Sequence, residues 1–138
     1  MKFDAARQTY SPARDPKLAY RYYLKAAEQQ HERAMNLVGR CCEEGWGTLR
    51  DLDAAADWYR RSAEGGYFRG QYNWAGMLLK AGRVDEAALW LERAAASGTA
   101  AVRRAVMALI ARERAPRSVL ALQGLAARLS GAPSLKGA

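Results

Sequence analysis

The chain of 138 residues has room for one compact domain, and half of its residues are apolar with only four prolines, which excludes a disordered or fibrous polymer. Alanine occurs 29 times, whereas Val, Ile and Thr together occur nine times; this excludes sheet folds, whose pleated surfaces are filled by β-branched side chains. The net charge of +8 is uneven, with +2 over residues 1–99 and +6 over residues 100–138.

Taken in chain order, the first seven residues, Met1-Lys2-Phe3-Asp4-Ala5-Ala6-Arg7, lack the apolar stretch of a secretory signal. Nowhere does an apolar run approach the roughly 18 residues of a membrane helix. The expectation is an all-α, intracellular protein placed in the cytoplasm, with no membrane contact. Asp15…Ala19-x-x-Tyr22-Tyr23-x-x-Ala26-Ala27 then opens a pattern that returns 36 residues later as Asp51…Ala55-x-x-Trp58-Tyr59-x-x-Ser62-Ala63. It returns again after a further 32 residues as Ala87-x-x-Trp90-Leu91-x-x-Ala94-Ala95. Between these copies, Ala34-x-x-Leu37-Val38-Gly39-x-x-Cys42 is echoed by Gly70-x-x-Asn73-Trp74-Ala75-x-x-Leu78. Each unit is thus two helices with small or apolar residues at helical spacing.

The connections fit. Gly45-Trp46-Gly47-Thr48 ends a helix near 31–44, and Asp51 is the expected N-cap of a helix near 52–65. Gly65-Gly66 and Gly98 close two second helices, and Ala81-Gly82-Arg83 makes the tighter turn that shortens one spacing from 36 to 32. Asp85 and Glu86 place acid in the first turn of the next helix. Pro116 starts a final helix near 116–130. Gly39, Ala75, Ala27, Ala63 and Ala95 leave room where helices come close, and Tyr22, Trp58 and Trp90 are expected to fill the space between successive pairs. The resulting organisation is a single domain over 1–130, with a partial unit at 1–30, units at 31–66 and 67–99, a capping helix pair at 100–130, and a loose tail at 131–138.

These units resemble Sel-one-like repeats, a variant of the tetratricopeptide repeat common in bacteria. The residues that carry the resemblance are Ala34, Leu37, Val38, Gly39, Gly45, Gly47, Asp51, Ala55, Trp58, Tyr59, Ser62, Ala63 and Gly66, one complete unit over 31–66. Cys42 departs from the pattern where an aromatic is usual, and Ala75 where glycine is usual. The resemblance implies a right-handed α-α superhelix of antiparallel helix pairs, whose first helices line a concave groove that binds peptide or protein. It also implies a bacterial, cytoplasmic scaffold or adaptor.

No catalytic pattern accompanies the repeats. Phosphate loop, zinc-protease helix and nucleophile elbow are all missing from the sequence, so neither enzyme activity nor a cofactor is expected. Cys41 and Cys42 are adjacent, which rules out a staple between distant elements, and with one histidine they make no zinc site. Cys42 occupies a repeat core position; a reactive thiol needs a neighbouring arginine to lower its pKa. His31 falls at an inter-repeat turn.

Surface chemistry remains. If Leu37, Val38 and Cys42 face the core, then Arg33, Asn36, Arg40 and Glu43 form an adjacent stripe. The same register gives Arg69, Tyr72 and Lys80 in the next unit and Arg104 and Arg112 in the last pair. Such a lining suits an acidic or carboxylate-terminated peptide, because a guanidinium pairs bidentately with carboxylate. The alternative is a nucleic acid or other polyanion held by Arg103, Arg104, Arg112, Arg114, Arg117 and Arg128. Residues 100–138 contain no Phe, Tyr or Trp for base stacking, which disfavours it. The last helix carries Val119, Leu122, Leu125, Ala126 and Leu129 on one face; this face is expected to cap the stack in a monomer, with dimerisation through it as the alternative.

Overall fold

The computed structural model describes residues 15–113 and 116–131, with backbone alone for 116–121, and the backbone of Phe3–Asp4 and Thr9–Tyr10. The rest of residues 1–14, the Arg114 and Arg117 side chains, the Val119 face position and the tail at 132–138 lie outside the described residues. Among the described residues there are seven α-helices: α1 Pro16–Glu28, α2 Glu32–Glu44, α3 Leu52–Glu64, α4 Phe68–Lys80, α5 Val84–Ser97, α6 Ala100–Arg112 and α7 Pro116–Leu129. One short antiparallel pairing precedes them, β1 (Phe3–Asp4) with β2 (Thr9–Tyr10), in the register Phe3 to Tyr10. Two residues per strand carry no periodic signal, so composition does not anticipate this pairing. The fold is an all-α helical repeat.

The chain falls into two compact units, Met1–Gly70 and Gln71–Ala138. In the first, α2 packs against both α1 and α3, and its sequence shows why it must. Ala34, Met35, Val38, Cys41 and Cys42 are all buried, which is two faces of one helix. At Gly39 a side chain of α3 lies against the α2 backbone. A Cβ built there would lie 2.6 and 2.7 Å from the Cδ1 and Cε1 of Tyr59, so the aromatic ring occupies the space that glycine leaves. Tyr59 is 1% exposed and its hydroxyl donates to Glu43 Oε1 at 2.6 Å, tying the far end of the ring back to α2.

Local chemistry sets the helix ends. Asp15 and Asp51 accept from the backbone N–H of Leu18 and Ala54 at 3.1 and 3.0 Å, so each N-cap satisfies a donor that the helix leaves unpaired. Gly45 closes α2 in the left-handed region at φ 74. Gly47, at φ 73, makes the turn fit: a Cβ there would overlap the Pro16 carbonyl at the start of α1. The Ser62 hydroxyl donates to the Glu32 carbonyl at 2.6 Å, joining α3 to the start of α2.

In the second unit α5 packs against α6 and α7, and α6 against α7. Leu78, Leu91, Ala94, Val106, Leu122 and Leu125 are buried. Thr99 caps α6 through the Val102 N–H at 3.4 Å. Arg128 reaches Glu92 with two nitrogens, at 3.2 and 3.3 Å, joining the end of α7 to α5. Leu122 and Leu125 of α7 are therefore covered by the chain itself.

One packing expectation is corrected. Tyr22 is 47% exposed, and Trp58 and Trp90 are only half-buried. The fully buried positions are one residue later, Tyr59 and Leu91. A residue's neighbour on a helix points about 100° away, so one step in register exchanges the core for the surface.

Candidate interaction surface

With two sides of α2 buried, the strip left open is Arg33, Arg40 and Glu44, with Leu37 half-buried between them. Asn36, expected in the stripe with Arg33 and Arg40, is instead 4% exposed. It lies on a buried side of the helix and offers little to a ligand. Glu43 is half-buried and receives the Tyr59 hydroxyl. Burial, followed by that hydrogen bond, pushes the Tyr59 hydroxyl well above its usual pKa, so this pair is a structural tie.

The arginines of this surface share an environment that the sequence did not reveal. The Arg33 guanidinium carbon lies 5.5 Å from the centre of the Tyr67 ring. Tyr67 and Phe68 meet at 5.1 Å with their planes tilted by 58°, and Arg69 lies 5.9 Å from the Phe68 ring. Arg33, Tyr67, Phe68 and Arg69 thus form one cluster across the α2 and α4 starts, cation at each end. Arg40 lies 5.3 Å from the Trp46 ring. All three arginines are exposed, and among the described residues none of the three has a carboxylate partner. A ring attracts a cation but neutralises no charge, so each guanidinium keeps its charge and its donors.

Other arginines differ. Arg60 binds Asp57 at 2.6 Å and Glu64 at 3.1 Å, and Arg61 binds Asp57 at 3.1 Å. Arg83 grips Glu86 at 2.7 Å. Arg50 and Arg103 donate to the carbonyls of Glu43 and Leu129. The contrast separates arginines that finish their own helix or loop from arginines left facing outward.

In the second unit, Tyr72 is half-buried, while Lys80, Arg104 and Arg112 are exposed. Arg103 and Arg128, two of the cations considered for polyanion binding, are engaged within the chain. His31 is exposed at the N-cap position of α2 and makes no side-chain cap bond.

The cysteines are free thiols, and both are buried. Burial pushes Cys41 from 9.0 up to about 11; Cys42 adds to the rise and Arg40 opposes it. Burial also raises Cys42, with Asp51 adding to it. The neighbouring arginine does not win, and neither thiol is activated. Among the described residues, no group of three or more His, Cys, Asp and Glu could hold a metal ion, and no helix is long and apolar enough to cross a membrane.

Comparison with known proteins agrees with the repeat architecture. The Sel1 repeat family matches residues 9–31, 32–67 and 69–99. The crystal structure of a Sel1 repeat protein from Oxalobacter formigenes aligns with a TM-score of 0.61 and 24% sequence identity, over 85% of this chain and 58% of that one. A stretch of 48 residues, 35% of this chain, is 46% identical to the chitin synthase regulator SKT5 of Malassezia restricta and spans 3% of it. This chain therefore covers less than two thirds of either relative. Sel1 repeat proteins generally mediate protein–protein interaction and are typically non-catalytic. With three matched segments occupying most of its length, the chain belongs to the Sel1 repeat family.

Proposed function

We propose that this chain is a non-catalytic interaction module that binds an acidic or carboxylate-terminated segment of a partner protein through Arg33, Arg40 and Arg69. One observation carries the reading. These three arginines are exposed, sit beside aromatic rings, and among the described residues have no carboxylate partner, whereas Arg60, Arg61, Arg83 and Arg128 are each paired with one. A guanidinium held near a ring loses less freedom on binding, and its planar fork suits a carboxylate.

Within the second unit, taken by itself, Tyr72, Lys80, Arg104 and Arg112 are proposed as further candidate contacts. Asn36, being buried, is left out of the first contact. The proposal includes a monomer, since Leu122 and Leu125 are already covered within the chain, and a cytoplasmic setting, which two free thiols suit. The relative named as a chitin synthase regulator supports a role exercised on another protein; the enzyme in its name is not carried over.

The test is fluorescence anisotropy with a labelled Glu-Leu-Glu-Leu peptide ending in a free carboxylate. The variant Arg33→Glu/Arg40→Glu/Arg69→Glu should bind markedly more weakly while keeping the parent's circular dichroism. A Gln-Leu-Gln-Leu amide should bind neither protein. Undiminished binding to the triple variant would remove these arginines from the site.

A further inference from the structure

A second surface of the first unit lies on α1 and rests on different residues. The helices α1, α3 and α5 repeat an aromatic followed three positions later by a cation, as Tyr22 and Lys25, Trp58 and Arg61, Trp90 and Arg93. In α3 and α5 the guanidinium lies 4.9 and 4.6 Å from the indole. The α3 copy also contains its own anion. Asp57, one residue before the tryptophan, bonds Arg61 at 3.1 Å and Arg60 at 2.6 Å. The position one repeat earlier, 36 residues back, is Arg21. Where α3 has an aromatic, a cation and a carboxylate, α1 has an aromatic and two cations.

The geometry leaves room for what is missing. Leu18, Arg21, Tyr22 and Lys25 line an open cleft of about 260 Å³ on α1. Arg21 and Lys25 are exposed, and among the described residues neither has a carboxylate partner. Leu18 is half-buried and Tyr22 is exposed, so the cleft combines an apolar floor with two positive charges. We infer that this cleft receives an acidic side chain from a partner protein, with Lys25 taking the carboxylate as its repeat equivalent Arg61 takes Asp57 and Arg21 supplying the second positive charge. Leu18 and Tyr22 cover the apolar residue next to it. The next repeat supplies the precedent, since Arg61, the equivalent of Lys25, holds a carboxylate beside an aromatic ring.

The site is independent of Arg33, Arg40 and Arg69, and the experiment keeps the two apart. The full chain carrying Arg33→Ala/Arg40→Ala/Arg69→Ala is titrated with acetyl-Leu-Glu-Leu-amide while backbone amide shifts are followed by NMR. Shifts are expected over residues 18–25. Adding Arg21→Asp, which restores the internal carboxylate within reach of Lys25, should weaken binding at least roughly fivefold; Arg21→Gln should weaken it less. Both substitutions are at an exposed helix position, and circular dichroism checks that the helix is kept. The inference is overturned if residues 18–25 do not respond, or if Arg21→Asp binds the peptide as tightly as before. It is also overturned if inorganic phosphate fills the cleft with the same dependence on Arg21 and the peptide does not, because the ligand is then a phosphate group and not an acidic side chain.

Discussion

The contact between Gly39 and Tyr59 makes the most demanding prediction about the repeat itself. Gly39→Ala adds one methyl group inside α2, and in an open helix that change is stabilising by about 0.8–1 kcal/mol. Here the new Cβ would be placed 2.6 Å from Tyr59 Cδ1, about an ångström inside ordinary contact. The ring cannot simply swing aside, since its hydroxyl is tied to Glu43 at 2.6 Å and the side chain is 1% exposed. Overpacking of this kind costs about 1–3 kcal/mol, and pulling the hydroxyl off the Glu43 carboxylate adds about 1.5–3 kcal/mol. Set against the gain in helix propensity, the expected net loss is about 1.5–5 kcal/mol. Gly76 provides the control, since it is also inside a helix but a Cβ there would meet nothing within 4 Å. Gly76→Ala should therefore stabilise by about 0.5–1 kcal/mol. Urea unfolding followed at 222 nm measures both variants against the parent. A Gly39→Ala protein as stable as the parent would refute the claim that Tyr59 fills the space at Gly39.

Four further outcomes are expected. Gln30 sits in the left-handed region at φ 69, one repeat before Gly66 at φ 94, so Gln30→Gly should stabilise by about 0.5–1 kcal/mol in the same urea assay; a loss would place the cost elsewhere. The raised Cys41 pKa means that the folded state holds its proton more tightly than the unfolded chain. Stability is therefore intact below pH 9 and declines as pH rises toward about 11, by about 2–3 kcal/mol. Unfolding at pH 8 and pH 11 should show a shallower decline in Cys41→Ala than in the parent, and equal declines would contradict the assignment. Leu122→Ala should cost about 2–5 kcal/mol, as for any fully buried leucine. Light scattering should show the parent as a monomer, and a dimer would give that face a second use.

Much of the fold was legible because its signals are local or periodic. Asp51 and Gly45 announce helix ends through their own neighbours, and the 36-residue repeat gives the element order without any contact information. The candidate surface was less legible because it depends on which sides of α2 are covered. The sequence shows apolar residues at Leu37, Val38 and Cys42, but Cys41, Met35 and Asn36 are buried as well. A helix enclosed from two sides has a broader buried arc than one amphipathic stripe indicates, which is how Asn36 came to be assigned to the open face. The rings beside the arginines are hidden for a different reason. Tyr67 is 34 residues from Arg33, and only the packing of one helix start beside another brings them together. Tyr67 stands 36 residues after His31, in the equivalent position at the next inter-repeat turn, which says nothing of a ring beside Arg33. Arg40 and Trp46 are close in sequence, yet the turn that joins them is made by Gly45, and a helical projection ends there.

Arg33, Arg40 and Arg69 are proposed to present to an acidic partner segment an aromatic-backed positive surface that has no carboxylate partner among the described residues. Backbone amide NMR of the full chain titrated with the Glu-Leu-Glu-Leu carboxylate tests this proposal most directly. Shifts are expected over residues 33–40 and 67–69, and these are lost in the Arg33→Glu/Arg40→Glu/Arg69→Glu variant, whereas any shifts over residues 18–25 remain. Shifts confined to residues 18–25 or 100–112, or shifts over residues 33–40 and 67–69 that persist unchanged in the variant, would contradict it.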